Sequence, residues 1–533
     1  MVPDFAPGFG QAAPRRSPRG GVGRERRCPI RITALGHSCL LLDFKSEETG
    51  QHTRILVDPW LSDHATGDAM GRFPRLRFDV AALGPIDAVY LSHAHSDHLD
   101  PYTLVRLWRE LPTPPVLLLP ISLAFLLPVF REFLDAPEMQ VLEPHIPTPF
   151  RGVQLLGLYD VADEPTNEDD VMVLVVSSGS EVALVEADAR LSLELVRFRE
   201  YITMLLRGPG ITSAVYLSTE NELTGTLEGR SCATTEEREE LAAYATSEML
   251  EAVEELYIQV DDPDDLWHGA HVLRLVHGQG LTAPHELDPR WQRILFPVRV
   301  EDRVRAERAA AERSGFEHHI DSLTVGCVHT IVAGRVQSRE PLAGLELLDR
   351  EDQRTFDPQL PFFPFLPCAP LRFDSRDVAS QRARVLALLN ERFLPYLHGL
   401  RRPPVLHLLA SAGGSYRIRV RYGTALDAPS WDYALGFDAR DFIEVAPSDD
   451  EPHEAYWAND LDDMVTGRCD EFSPFCRSQL PNMDMRLWTC LATPLLNSDI
   501  VLLRVQLHFE RAAAGLTPGS FVLELYAPSG DDG

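Results

Sequence analysis

The sequence predicts an α/β layered domain followed by a smaller α+β unit, and three observations carry that prediction. Short apolar and β-branched runs alternate with turn signals and helical stretches from Ile30 to about Leu217. A Pro-rich stretch, Pro358–Pro370, then marks a boundary. Beyond it, strands read from two-residue alternation accompany further helical segments.

The candidate strands of the first unit are Arg31–Ala34, Leu40–Asp43, Arg54–Val57, Ala88–Leu91, Val116–Leu119, Val153–Leu158, Val171–Val176, Val182–Val185 and Ala214–Leu217. Helices are expected at Pro101–Glu110 and Leu191–Leu206. Another covers Thr234–Tyr257, where Thr234 stands three residues before Glu237 in a capping-box spacing. Glu301–Ser314 reads as a charged helix lying on the first unit. In the second unit Ser375–Leu400 and Asp460–Thr466 read as helices, and Tyr416–Tyr422, Ser430–Phe437 and Ile500–Phe509 as strands. The expected division is a disordered basic leader at 1–29, a metal-binding catalytic domain at 30–355 and an α+β C-terminal domain at 356–533.

A chain of 533 residues with 44% hydrophobic residues exceeds what one core usually organises, and it has ample apolar content for two or three. Lys and Arg number 50 against 80 Asp and Glu, a net charge of -30. That charge repels nucleic acid and anionic membrane surfaces, so neither is an expected partner. The basic exception is the N-terminal stretch, with Arg15, Arg16, Arg19, Arg24, Arg26, Arg27 and Arg31 among Pro and Gly and too little apolar content to fold or to serve as a signal peptide. Val116–Phe130 is the one long apolar run. It is interrupted by Pro120 and Pro128 and falls short of the ~20 residues of a membrane span. The eight cysteines are scattered without a CxxC pair, which fits reduced thiols in a cytoplasmic protein.

The chemistry concentrates at His93-Ala94-His95-Ser96-Asp97-His98, directly after the apolar run Ala88–Leu91. A loop at the carboxyl end of a strand is where α/β folds place ligands. In a locally extended segment His93 and His95 point the same way and supply two imidazoles to one metal, while Asp97 and His98 turn to a second. A chance polar cluster on a loop is the alternative, and the HxHxDH spacing after a strand argues against it. The pairs His268 with His271 and His318 with His319 lack a strand end or carboxylate and read as surface or packed histidines.

Together with Gly36-His37-Ser38-Cys39-Leu40 and Leu56-Val57-Asp58-Pro59-Trp60, this motif resembles the metallo-β-lactamase superfamily. The resemblance implies an αββα sandwich with two metal ions at one edge, Asp58 behind the ligands and His37 close to the pocket. It also implies a bridging carboxylate after a later strand, for which Asp188 fits, and a late strand-end histidine, for which His277 and His285 both qualify. The family's usual third histidine for the first metal is missing between Val153 and Val171. Glu168, with Asp170 behind it, is the candidate there, and a carboxylate shifts the preference from zinc toward iron.

That substitution resembles the oxygenase members of the superfamily, the CMP-N-acetylneuraminate hydroxylases and the diiron β-hydroxylases of peptide assembly lines. Leu99-Asp100-Pro101-Tyr102-Thr103-Leu104 and, more weakly, Trp431-Asp432-Tyr433 and Asn459-Asp460-Leu461 extend the likeness to the first group. Those hydroxylases carry an N-terminal Rieske domain, and no Cys/His pairs of that kind occur here. Electrons then come from a separate protein, or the reaction differs. The expectation is an O2-dependent diiron oxygenase or hydroxylase acting on a small or carrier-protein-bound substrate, with iron favoured and zinc or manganese as alternatives. A hydrolase of a lactone, phosphodiester or amide, with Asp97 or Asp188 handling the nucleophile's proton, is the second reading. A non-catalytic binding protein is the third. Arg417, Arg419, Arg421 and Trp431 read as an exposed, charge-alternating strand face or the lining of a substrate groove, and Ser218-Thr219-Glu220-Asn221-Glu222 as a loop bordering the pocket.

Overall fold

The computed structural model describes residues 29–46, 49–65, 71–135, 138–159, 171–189, 211–220, 271–282, 298–313, 319–349, 377–399, 412–422, 429–436, 440–449, 452–470 and 494–518, with a few isolated positions between them. In chain order the first unit contains β1 (Ile30–Gly36), β2 (Cys39–Lys45), β3 (His52–Val57), β4 (Gly71–Arg72), β5 (Leu76–Phe78), β6 (Ala88–Tyr90), α1 (Pro101–Glu110), β7 (Val116–Pro120), α2 (Leu127–Phe133), β8 (Met139–Leu142), β9 (Thr148–Phe150), β10 (Val153–Tyr159), β11 (Met172–Ser178), β12 (Glu181–Val185), β13 (Ser213–Thr219), β14 (His271–His277), β15 (Leu281–Thr282), α3 (Val300–Arg313), β16 (His319–Ser322), β17 (Cys327–Val332), β18 (Arg335–Pro341) and β19 (Leu345–Leu347).

Two sheets make the frame. One runs β18-β17-β1-β2-β3-β6-β7-β8 and the other β16-β14-β13-β12-β11-β10-β9. Leu40, Leu42, Ile55 and Val57 of the first meet Met172, Leu174, Val185 and Leu275 of the second in the core between them. Alternate residues of the same strands, Leu41 and Leu56, pack outward against α1 and α2. Strands with apolar residues on both faces belong to sheets covered on both sides, which explains the near-continuous apolar runs in the sequence. Val300, Val304 and Ala311 of α3 cover the far side of the second sheet beside Val276 and Ile320. The architecture is therefore the αββα sandwich.

Strands β17 and β18 have no counterpart in the sequence reading. They form a hairpin across Ala333 and Gly334, both at positive φ (51° and 67°), and β17 pairs with β1 to extend the first sheet. An Ala-Gly turn is a weaker hairpin signal than Asn-Gly, because alanine resists the left-handed conformation that glycine adopts freely.

The second unit comprises α4 (Val378–Leu388), α5 (Leu394–Gly399), β20 (Tyr416–Arg421), β21 (Ser430–Leu435), β22 (Phe442–Val445), β23 (Glu454–Trp457), α6 (Ala458–Val465) and α7 (Pro494–Ala513). Its sheet runs β22-β21-β20-β23 around a core of Leu389, Phe393, Tyr416, Ile418, Tyr433 and Leu461. The inward set Tyr416, Ile418 and Val420 alternates with the partly exposed Arg417, Arg419 and Arg421. Arg419 is paired with the buried Asp432, and Arg421 lies over the Trp457 ring.

One expected strand is overturned. Ile500–Phe509 is helical, within α7. Its buried apolar residues Val501, Val505, Phe509 and Ala512 recur at helical spacing, so one face of α7 seals against α1 and α2 in the core of the first unit. The β-branched residues that suggested a strand are overridden by this tertiary contact.

Among the described residues no helix is long and apolar enough to cross a membrane. The expected helix Leu191–Leu206, the stretch Pro358–Pro370 and most of the leader lie outside the described residues, as do parts of Thr234–Tyr257.

Candidate metal centre

Every candidate ligand in the described residues stands at a strand end on the same edge of the sandwich. His93–His98 follow β6, Asp188 follows β12, and His277 closes β14. The backbone turns sharply at these ends: His37 after β1, Asp58 after β3, Ala187 after β12 and Gln279 after β14 all have φ between 42° and 56°. Non-glycine residues rarely adopt this left-handed conformation, and strain of this kind collects where side chains are aimed at a functional centre.

Two donor groups meet at one carboxylate. His93, His95 and Asp188 form one, and His37, Asp97, His98 and Asp188 the other, with the ligand atoms within each group no more than 4.8 Å apart. Asp188 Oδ2 lies 2.9 Å from His98 Nε2 and 3.8 Å from His93 Nε2. It is the group nearest solvent, its side chain 24% exposed, whereas His93 and His98 are fully buried.

Hydrogen bonds behind the rings determine which nitrogen faces inward. Asp58 Oδ2 accepts from His98 Nδ1 at 2.9 Å and from Ser92 Oγ at 2.6 Å, and Asp58 Oδ1 accepts from Ser92 N at 2.7 Å. Because the Ser92 hydroxyl donates to Asp58, it accepts from His93 Nδ1 at 2.8 Å. His277 Nδ1 donates to the carbonyl of His37 at 3.2 Å. In His93 and His277 Nδ1 carries the proton that binds the scaffold, which directs the Nε2 lone pair inward, the arrangement that metal-ligating histidines need, and in His98 the same Nδ1 bond turns Nε2 toward Asp188.

His37 takes the opposite tautomer. Its Nδ1 accepts from Gly280 N at 3.3 Å, so the ring proton belongs on Nε2, which faces Asp97 Oδ2 at 3.0 Å. His37 therefore orients Asp97 and leaves Oδ1 of that carboxylate for another partner. Only glycine allows this approach, since a Cβ at Gly280 would lie 2.4 Å from His37 Cβ.

The electrostatics follow from burial and proximity. Burial pulls His93 well below the usual imidazole range, helped by the neighbouring His98 and His95. It also takes His277 down to about 4, so both are neutral near pH 7. Burial opposes the charge on His98 as well, but Asp188, Asp97 and Asp58 together lift it well above the ordinary value. Asp188 is held well below the carboxylate range, where attraction to His98 exceeds the opposing effect of burial.

These residues fit a pair of metal ions. His93 Nε2, His277 Nε2 and Asp97 Oδ1 are buried polar atoms without a hydrogen bond, a costly state for a site meant to remain empty. Imidazoles and carboxylates converging on one edge are the donors that zinc and iron take.

The structure thus brings together His93, His95, Asp97, His98, Asp188 and His277. Glu168, Asp170 and His285 lie outside the described residues. Of the loop beyond β13, Glu220 N donates to the His277 carbonyl at 2.8 Å, while Asn221 and Glu222 are likewise outside them. What sequence reasoning missed is the support from the C-terminal unit, where Arg504 and Asp470 touch the motif loop. No local motif marks either residue.

Residues 31–175 match the model of the Beta-lactamase superfamily domain. The chain carries a β-lactamase superfamily domain over those residues. Over 78 residues it is 35% identical to a putative Rieske 2Fe-2S iron-sulfur protein of Mycolicibacterium smegmatis, a stretch covering 14% of this chain and 14% of that protein. Among solved structures it is similar to CmlA, a diiron β-hydroxylase from Streptomyces venezuelae, at 15% identity and a TM-score of 0.33, covering 57% of this chain and 54% of that one. It is also similar to the metallo-β-lactamase fold protein YhfI from Bacillus subtilis (15% identity, TM-score 0.30) and to yeast PDE1 (12% identity, TM-score 0.33). Each covers 57% of this chain and 100% of its own.

Proposed function

We propose that residues 30–355 form the catalytic domain of a dinuclear metalloenzyme. In this reading His93 and His95 would hold one ion, Asp97, His98 and His277 the other, and Asp188 would serve both. The observation that carries it is the convergence of two donor groups on Asp188, with His93 Nε2 buried and without a hydrogen bond. Two ions held by these residues would polarise substrate oxygens, generate a nucleophile from water or, as iron, activate O2.

Our preferred chemistry is O2-dependent hydroxylation by a diiron centre. The connection from β10 to β11, residues 160–170, contains Asp160, Asp163, Glu164, Glu168, Asp169 and Asp170 and no histidine. Met172, just beyond it, donates from its backbone N to the Ser92 carbonyl at 3.2 Å, and Ser92 immediately precedes His93. The composition of that segment, rich in carboxylates and without an imidazole, supports Glu168 as the remaining ligand, a set that suits iron better than zinc. An external electron donor follows from this chemistry, and the short match to a Rieske protein is consistent with one. The substrate is a small molecule, free or carrier-bound.

The imidazole-rich part of the set, His93, His95, His98 and His277, favours a second reading, zinc-dependent hydrolysis. There Asp188, at the solvent edge, takes the proton of the attacking water and Asp97 is held in place by His37.

Elemental analysis of aerobically purified protein, followed by O2 uptake with a chemical reductant, separates the two. Two irons per chain and reductant-dependent uptake are expected. Stoichiometric zinc, with no uptake after iron reconstitution, would sink the oxygenase reading in favour of the hydrolase.

A further inference from the structure

The motif His93-Ala94-His95-Ser96-Asp97-His98 alternates ligand and non-ligand residues over its first five positions. Its two non-ligand residues, Ala94 and Ser96, are both held by the C-terminal unit. Arg504 of α7 donates from Nη2 to the Ala94 carbonyl at 2.6 Å, and the Ser96 hydroxyl donates to Asp470 Oδ2. Arg504 is 4% exposed and Asp470 is fully buried. One contact sits between the ligands His93 and His95, the other between His95 and Asp97.

The rest of this unit makes the two contacts rigid. Gly467, at φ 74°, ends the turn after α6 and lies so close to α7 that a Cβ there would stand 2.6 Å from Arg504 N. Asp470 follows three residues later, so a single backbone approach positions both groups. Helix α7 is itself anchored on the first unit. Phe509 packs against Phe130 and Phe133, Tyr102 OH meets His508 Nδ1 at 3.1 Å, and Arg109 Nη2 donates to the Ala513 carbonyl at 3.2 Å.

We propose that Arg504 and Asp470 are positioning residues for the metal centre. The C-terminal unit acts as the outer clamp of the ligand loop and sets the affinity and geometry of the site. The physical reason is coupling through burial. If the loop shifts, a buried guanidinium loses its carbonyl and a buried carboxylate loses its hydroxyl, and neither reaches water instead. The loop's position, and with it the direction of His93, His95 and Asp97, is thereby tied to residues 374 and 410 positions away in sequence. Outer hydrogen bonds of this type typically govern metal affinity by roughly 10–100-fold.

This inference rests on the metal-centre reading, and Co(II) titration of apoprotein, followed by visible absorption, tests the two separately. Wild-type protein is expected to bind Co(II) with resolved d–d bands. R504M is expected to bind roughly 10–100-fold more weakly with shifted bands. R504K, which keeps a cation able to reach the carbonyl, should recover part of the affinity. S96A reaches the second contact from the loop side and should shift the bands in its own right, so the test stands even if R504M does not fold. L503A, half exposed on the same helix, should leave affinity and spectrum unchanged. Wild-type binding with R504M or S96A matching it in affinity and spectrum, whatever their stability, overturns the clamp. Absence of Co(II) binding by the wild type overturns the metal-centre reading instead.

Discussion

His98 Nδ1 lies 2.9 Å from Asp58 Oδ2, joining the last residue of the His93–His98 motif to the residue that follows strand β3. Both side chains are fully buried, and Asp58 also takes two hydrogen bonds from Ser92. One carboxylate therefore orients His98 directly and His93 through the Ser92 hydroxyl. Removing it by D58A is expected to weaken metal binding by roughly 10–100-fold in a chelator competition. It should also lower the stability of the apoprotein by about 3–5 kcal/mol in urea, because buried partners are left unpaired. Unchanged affinity would show that the rings hold their direction without Asp58.

Gly280 carries a second expectation. With its missing Cβ 2.4 Å from His37 Cβ, G280A must displace His37 and free Asp97 from its neighbour. The ion bound by Asp97 and His98 should be lost before the one at His93 and His95. Metal analysis should then fall from two ions per chain toward one, and retention of both would contradict the role assigned to His37.

The interface between α1 and α7 should be acid-sensitive. Burial, reinforced by Arg504 and Arg511, pulls His508 down to about 3 from an ordinary 6.5. A histidine with a depressed folded-state value binds fewer protons folded than unfolded, so its contribution is fully present above about pH 6.5 and is lost as the pH falls toward 3. At pH 5.5 the loss should be about 1.4 kcal/mol. Urea midpoints of the apoprotein at pH 7 and 5.5 should therefore differ more for the wild type than for H508Q. Equal differences would mean that His508 is not the titrating group.

Phe509 anchors α7 on the first unit by packing against Phe130 and Phe133 of α2. F509A should cost about 3–5 kcal/mol, and hydrogen exchange should show increased opening of α7 and α1 together. Exchange confined to α7 would indicate that the helix contributes less to the first unit than its burial implies.

Metal addition offers a check on the site as a whole. A ligand that binds only the folded state stabilises it, by about 2.7 kcal/mol at one hundred times its Kd. Apoprotein should melt at a higher temperature with Fe(II) or Co(II), and H93A should show a smaller rise.

Much of this organisation was legible locally. Val57, Leu91 and Val185 end apolar runs, and the polar residues that follow them could be assigned to strand ends because the two-residue period of a buried strand is written in the chain itself. The choice between His277 and His285 was not legible, since both follow suitable residues. A hydrogen bond to the His37 carbonyl holds His277 beside that residue, while His285 lies outside the described residues. Residues 500–509 misled for a related reason. Ile500, Val501 and Val505 favour a strand by local preference, and only the groove between α1 and α2 selects the helical face of Val501, Val505 and Phe509.

By itself, then, the sequence determined the sandwich and the strand-end position of the His93–His98 loop, since strand periodicity and side-chain chemistry are local properties. Only the tertiary structure decided which nitrogen of each ring faces inward, that His37 serves Asp97, and that Arg504 and Asp470 grip the loop. Those relationships join residues far apart in the chain, and hydrogen-bond direction and burial exist only once the chain has brought them together.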